Sequence, residues 1–169
     1  MQWYLKKEEP DDSVETWPAF EELLRTQLSA AMKKPGIAKP FLIVAATGVP
    51  WTQKASEPTT LMSGLGWNTA PSIWVDQTKH AAFFSKSAAV IVVNRRIVRT
   101  FEQSPKNQSY RGALEMLMLH ELLHWLIHTL GGITEHKPRG VAGDAVYGFE
   151  DAAYPDAAAR SLTLERMNV

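Results

Sequence analysis

Leu119-His120-Glu121-Leu122-Leu123-His124-Trp125 lies in the middle of a segment that is apolar almost all round, with Leu114, Met116, Leu117 and Met118 before it and Leu126 and Ile127 after it. A helix that is apolar on every side belongs in the centre of a domain. The pattern predicts one from about Tyr110 to Leu130, stopped by Gly131-Gly132. Residues four apart on a helix differ by about 40° in direction and about 6 Å in height. His120 and His124 therefore project from one side and can grip a single ion. Glu121 lies about 100° further round, where it can reach a water beside that ion without ligating it. Neutral imidazoles suit zinc, and a carboxylate next to zinc-activated water serves as a general base. Two histidines and a glutamate held only by hydrogen bonds in an apolar helix would cost several kcal/mol unless well paired, so a metal is the economical explanation.

The rest of the chain bounds this reading. The 169 residues are 45% hydrophobic and 21% charged, enough for one domain with a real core. Lys+Arg and Asp+Glu both number 18, so the net charge is zero and the basic excess of a generic nucleic-acid binder is missing. With no cysteine, disulfide scaffolds, zinc ribbons and thiol catalysis are excluded, and any metal must sit on His, Asp or Glu. No apolar run approaches a membrane span, and the first residues lack the order of a signal peptide. Neither an internal repeat nor a linker interrupts residues 1–169, which read as a single domain that could also be the C-terminal module of a longer protein.

Outward from the motif, Trp17, Phe20, Leu23, Leu24, Leu28 and Ala31 mark an amphipathic helix, with Thr16 as a possible N-cap and Pro18 in its first turn. Phe41–Thr47 reads as a short buried strand, followed by a long loop over 48–72 that carries Trp51 and Trp67. Ile73–Val75, Ala82–Phe84 and the β-branched Ala89–Val93 read as further strands. Asn94 is placed to cap a helix over Arg95–Gln103, whose Arg95, Arg96 and Arg99 read as a solvated face. A last helix starts near Phe149, breaks at Pro155 and runs to about Glu165.

The third metal ligand has three candidates. Ile127 and Leu130 stand where a metzincin needs Gly and His. His128 extends the ladder of histidines, but one straight helix cannot surround an ion, so it reads as a residue packed beyond the ligands. His136 lies in a Gly-rich loop. Asp144-Ala145-Val146-Tyr147-Gly148 matches the aspzincin D-x-x-Y-G. Glu150 opens the last helix, as in gluzincins. Tyr154, Tyr147, His136 and Arg139 flank this segment and are candidates to stabilise an oxyanion.

From Asn94 to Tyr154 the sequence resembles the metallopeptidase toxin domains at the C-terminal ends of type VI secretion spike (VgrG) proteins and Rhs polymorphic toxins. Leu119–Trp125, the Gly-rich loop, and Gly148-Phe149-Glu150 followed by Tyr154 carry the likeness. The resemblance implies an HExxH zincin with Zn2+ on His120, His124 and Glu150. It also implies an antibacterial effector carried by a secretion spike, restrained in the producer by an immunity protein and delivered by contact into a target cell, its periplasm favoured over its cytoplasm. The expected fold is α+β and zincin-like: a small twisted sheet, the buried active-site helix beneath it, and a C-terminal helix closing the site. The expected activity is hydrolysis of a protein or peptide, with Glu121 as general base and Tyr154 as a catalytic partner, and with neither nucleic acid nor membrane as partner. A peptidoglycan peptide amidase, a SprT-like DNA-associated protease using His136, and a zinc-stiffened module without catalysis are the alternatives.

Overall fold

The computed structural model describes residues 5–6, 16–48, 71–132 and 145–169. Its elements, in chain order, are β1 (Leu5–Lys6), α1 (Pro18–Glu22), a π-helical turn (Leu23–Gln27), α2 (Leu28–Ala31), α3 (Pro35–Gly48), β2 (Ser72–Asp76), β3 (Ala82–Ser85), β4 (Val90–Asn94), α4 (Arg95–Gln103), α5 (Gln108–Thr129), α6 (Ala145–Ala153) and α7 (Ala157–Met167). The fold is mixed α+β. Among the described residues no helix is long and apolar enough to cross a membrane.

The sheet runs in the order β1-β2-β4-β3, with β1, β2 and β4 parallel and β3 antiparallel to β4. β2 and β3 alternate between buried and half-buried positions, as strands covered by helices on one face do. On that face Ile73, Val75, Ala82, Phe84, Ile91 and Val93 join the main core. On the other face the register sets Trp74 and Phe83 on either side of Val92, an aromatic and β-branched row that supports the pairing.

α5 packs against β3 and β4, and it is buried without interruption from Ala113 to Ile127. Its ends are well specified. The Asn107 side chain accepts hydrogen bonds from the backbone N–H groups of Ser109 and Tyr110. At the other end Gly131 takes a φ of 75°, and the N–H groups of Gly131 and Gly132 donate to the carbonyls of His128 and Ile127. That pattern of bonds is a Schellman motif, and the left-handed residue inside it favours glycine. Gly112 answers a different need. Arg160 donates to its carbonyl, and a Cβ there would lie 2.6 Å from the guanidinium.

Asn94 caps α4 as expected, accepting from Arg96 N at 2.9 Å. α1 departs from expectation at its start. Trp17, not Thr16, is the N-cap and makes no side-chain bond. The Glu102 carboxylate of α4 accepts instead from the N–H groups of Ala19 and Phe20. A carboxylate at a helix N-terminus satisfies orphan donors and faces the positive end of the dipole.

The strand expected over Phe41–Thr47 is helical, part of α3. The apolar run concealed a four-residue period. Ile37, Phe41 and Ala45 are buried in register, while Ile43 between them is 54% exposed. Short apolar runs do not distinguish strand from buried helix, and Pro40, now inside α3, pointed away from helix. The loop over 48–72, with Trp51 and Trp67, falls mostly outside the described residues. The C-terminal helix is broken at Pro155 as expected, into α6 and α7, but α6 already runs from Ala145, so Glu150 lies inside it and does not open it.

Candidate metal centre

Of the six buried polar or charged residues named among those described, His120, Glu121, His124 and Glu150 gather in one place, at 1–4% exposure. The first three come from α5 and the fourth from α6. The position of α6 is fixed by aromatic contacts. Phe149 meets Phe41 of α3 edge to face at 5.5 Å and Tyr154 at 6.1 Å. With Phe149 anchored there, Tyr147 and Glu150, three apart on the same helix, turn toward α5. The Tyr147 ring lies 5.1 Å from that of His120.

The two imidazoles converge. Nε2 of His120 and Nε2 of His124 are 3.1 Å apart. Two nitrogens at the usual zinc distance of about 2.0–2.1 Å, in tetrahedral geometry, are separated by about 3.3 Å. The pair therefore fits one small divalent ion with almost no movement. Among the described residues no group of three or more His, Asp or Glu is placed to hold an ion jointly. Glu150 approaches His120 on its other nitrogen, Oε1 to Nδ1, at 2.8 Å. His136, Asp144 and Arg139 lie outside the described residues.

A cleft of about 380 Å³ opens onto this cluster. His120, Glu121, Tyr147 and Glu150 line one part of it, and His80 and Glu165 another. That volume suits a small ligand or a few residues of a peptide. Sequence reasoning did not single out His80 or Glu165. They come from the β2–β3 turn and from α7, and only the folded chain brings them to the motif. The turn carrying His80 is tied down by Asn94, which is 2% exposed and whose side-chain amide donates to the carbonyls of Thr78 and His80.

Tyr154, expected as a catalytic partner, is turned elsewhere, whereas His128 packs beyond the ligands as expected. The Tyr154 hydroxyl donates to Glu115 Oε1 at 3.2 Å, inside the core, and Tyr154 does not line the cleft. Burial, reinforced by the adjacent Glu115 carboxylate, pushes its phenol far above the ordinary tyrosine range. His128 packs on Phe84 of β3, ring centroids 5.4 Å apart.

The arrangement is therefore a buried two-histidine grip beside a carboxylate, at the wall of a cleft. No curated protein and no solved structure matches the chain. A family model does, over residues 13–155, and it describes metallopeptidase toxin 3. The match takes in the motif helix, the turn that carries His80 and the segment that carries Glu150, though not the α7 residues that line the cleft, and by it the chain belongs to the metallopeptidase toxin 3 family.

Proposed function

We propose that this chain is a zinc-dependent peptidase effector that poisons a neighbouring bacterium by cutting peptide bonds in one of its proteins. The observation that carries the reading is the pair of buried Nε2 atoms 3.1 Å apart, with Glu121 next to them at the wall of the cleft. His120 and His124 would hold the ion. When bound, it supplies a Lewis acid that polarises the substrate carbonyl and acidifies a water. Glu121 accepts the proton of the attacking water on a carboxylate oxygen. It returns that proton to the amide nitrogen as the carbon–nitrogen bond breaks. Tyr147 lines the cleft and Tyr154 does not, so the part of hydrogen-bond donor to the developing oxyanion falls to Tyr147. Glu150 completes the site on the Nδ1 side of His120.

The biological setting follows from the resemblance to spike-borne and Rhs toxin domains. It comprises carriage by a secretion spike, contact-dependent delivery with the periplasm as the favoured destination, and a cognate immunity protein in the producer. The test is growth of a bacterial host that expresses the chain in its cytoplasm or, with an added export signal, in its periplasm. Wild type slows growth in at least one compartment, and Glu121→Ala, at equal expression, in neither. Equal toxicity of the two proteins overturns the enzymatic reading.

A further inference from the structure

The two nitrogens of one imidazole point away from each other. A group at hydrogen-bond distance from Nδ1 of His120 therefore stands outside the coordination sphere of an ion on its Nε2. Glu150 occupies that outer position, 2.8 Å from Nδ1, while Nε2 faces His124. The anchoring of α6 holds it there. Phe149, next in sequence, is fully buried against Phe41, and the Glu150 carbonyl accepts from the backbone N–H of Tyr154 at 2.8 Å.

We propose that Glu150 is a positioning residue for His120 and not the third metal ligand. An ionised carboxylate only accepts hydrogen bonds, so the His120 ring must carry its proton on Nδ1. The tautomer is then fixed, and Nε2 presents a lone pair. In the metal-free protein that lone pair accepts from Nε2–H of His124, giving a donor chain from His124 to His120 to Glu150. To ligate through Nε2, His124 would have to move its single ring proton from Nε2 to Nδ1 by exchange with solvent and stay neutral, whereas His120 would need no change. Half of the metal grip is therefore preset before the metal arrives. Carboxylates that act on ligating histidines in this way strengthen metal affinity by roughly 10–100-fold. The inference rests on the metal-site reading above only for its consequence, since the tautomer exists with or without an ion.

The experiment is long-range nitrogen–proton correlation NMR on the intact, metal-free, nitrogen-15-labelled protein, which distinguishes Nδ1–H from Nε2–H at each histidine. His120 appears as the Nδ1–H form, and in Glu150→Ala it becomes a mixture of both. Zn2+ titration accompanies it. Glu150→Ala weakens binding by roughly 10–100-fold, and Glu150→Gln, whose amide oxygen still accepts from Nδ1–H, recovers most of the loss. Co2+ bound to wild type and to Glu150→Ala gives the same visible absorption spectrum, because no ligand has been removed. An Nε2–H tautomer at His120 in the wild type overturns the proposal, even where the variants fail to fold. So does a Co2+ spectrum that changes on Glu150→Ala, or Glu150→Gln binding no better than Glu150→Ala. Failure of the wild type to bind Zn2+ would remove the metal-site reading alone, and the tautomer would still decide the role of Glu150.

Discussion

Glu115 and Glu121 lie six residues apart on α5, at 5% and 1% exposure, and are put to opposite uses. Six residues turn the helix so that the two carboxylates point about 120° apart. Glu115 faces a closed seam. Tyr154 OH donates to one of its oxygens at 3.2 Å and Gln27 Nε2 to the other at 3.0 Å, and Arg111 donates to Gln27 in turn. Glu121 faces the cleft beside the paired histidines. Burial on its own does not reveal function in this helix. What separates the two is whether the partners come from the fold's own seams or from an opening that a substrate can enter.

The largest expected effect of this contrast is on rate. Glu121→Gln should lower peptidase activity by about 10²–10⁴-fold, the usual cost of losing a general base, with fold and metal content intact. Glu115→Gln should leave the rate per folded molecule near wild type. A steady-state assay on an unfolded protein substrate checks both, and equal losses in the two variants would erase the distinction.

On stability the order reverses. Glu115→Ala strands the Tyr154 hydroxyl and leaves the Gln27 amide only its bonds to Arg111, and should cost about 1–3 kcal/mol in urea unfolding, where Glu121→Ala costs less. Tyr154→Phe should cost about 1 kcal/mol near neutral pH and leave metal affinity unchanged. The pH dependence of the same variant sharpens the point. The folded-state value of the Tyr154 phenol lies above its unfolded value near 10. Its contribution is whole below pH 10 and is lost as pH rises toward the folded value, at about 1.4 kcal/mol per pH unit. Tyr154→Phe lacks that proton, so its stability should fall less steeply above pH 10. Identical alkaline slopes would contradict the buried-phenol account.

Smallest of all is the effect at the surface of the same seam. Asp156 accepts from Arg160, whose guanidinium also covers the Tyr154 ring at 4.6 Å. The hydrogen bond to Arg160 holds the Asp156 carboxyl below its usual range. Its stabilising effect is present above the unfolded value near 3.9 and fades as pH falls below it. Asp156 is exposed, so Asp156→Asn should shift the melting temperature at pH 7 only marginally, and not at all once the carboxyl is protonated.

Much of this was legible in the chain because the signals were local. The motif helix, its glycine stop, the capping Asn94 and the break at Pro155 each depend on residues a few positions apart. α3 was misread because Phe41–Ala46 is apolar throughout and its period shows only once burial singles out Ile37, Phe41 and Ala45. Within the site, His120, Glu121 and His124 followed from helical spacing, and Tyr147 from its place near Glu150. His80, the turn of Tyr154 toward Glu115 and the approach of Glu150 to Nδ1 depend on pairs 30 or more residues apart, where no periodicity reaches.

The central claim is that His120 and His124 together form the metal grip and that Glu115, buried on the same helix, takes no part in it. Zn2+ titration of metal-free protein tests it directly, by calorimetry on wild type, on the double variant His120→Ala, His124→Ala, and on Glu115→Gln. The account predicts about one equivalent bound by wild type and by Glu115→Gln, and none by the double variant. Undiminished binding by a folded double variant would contradict it.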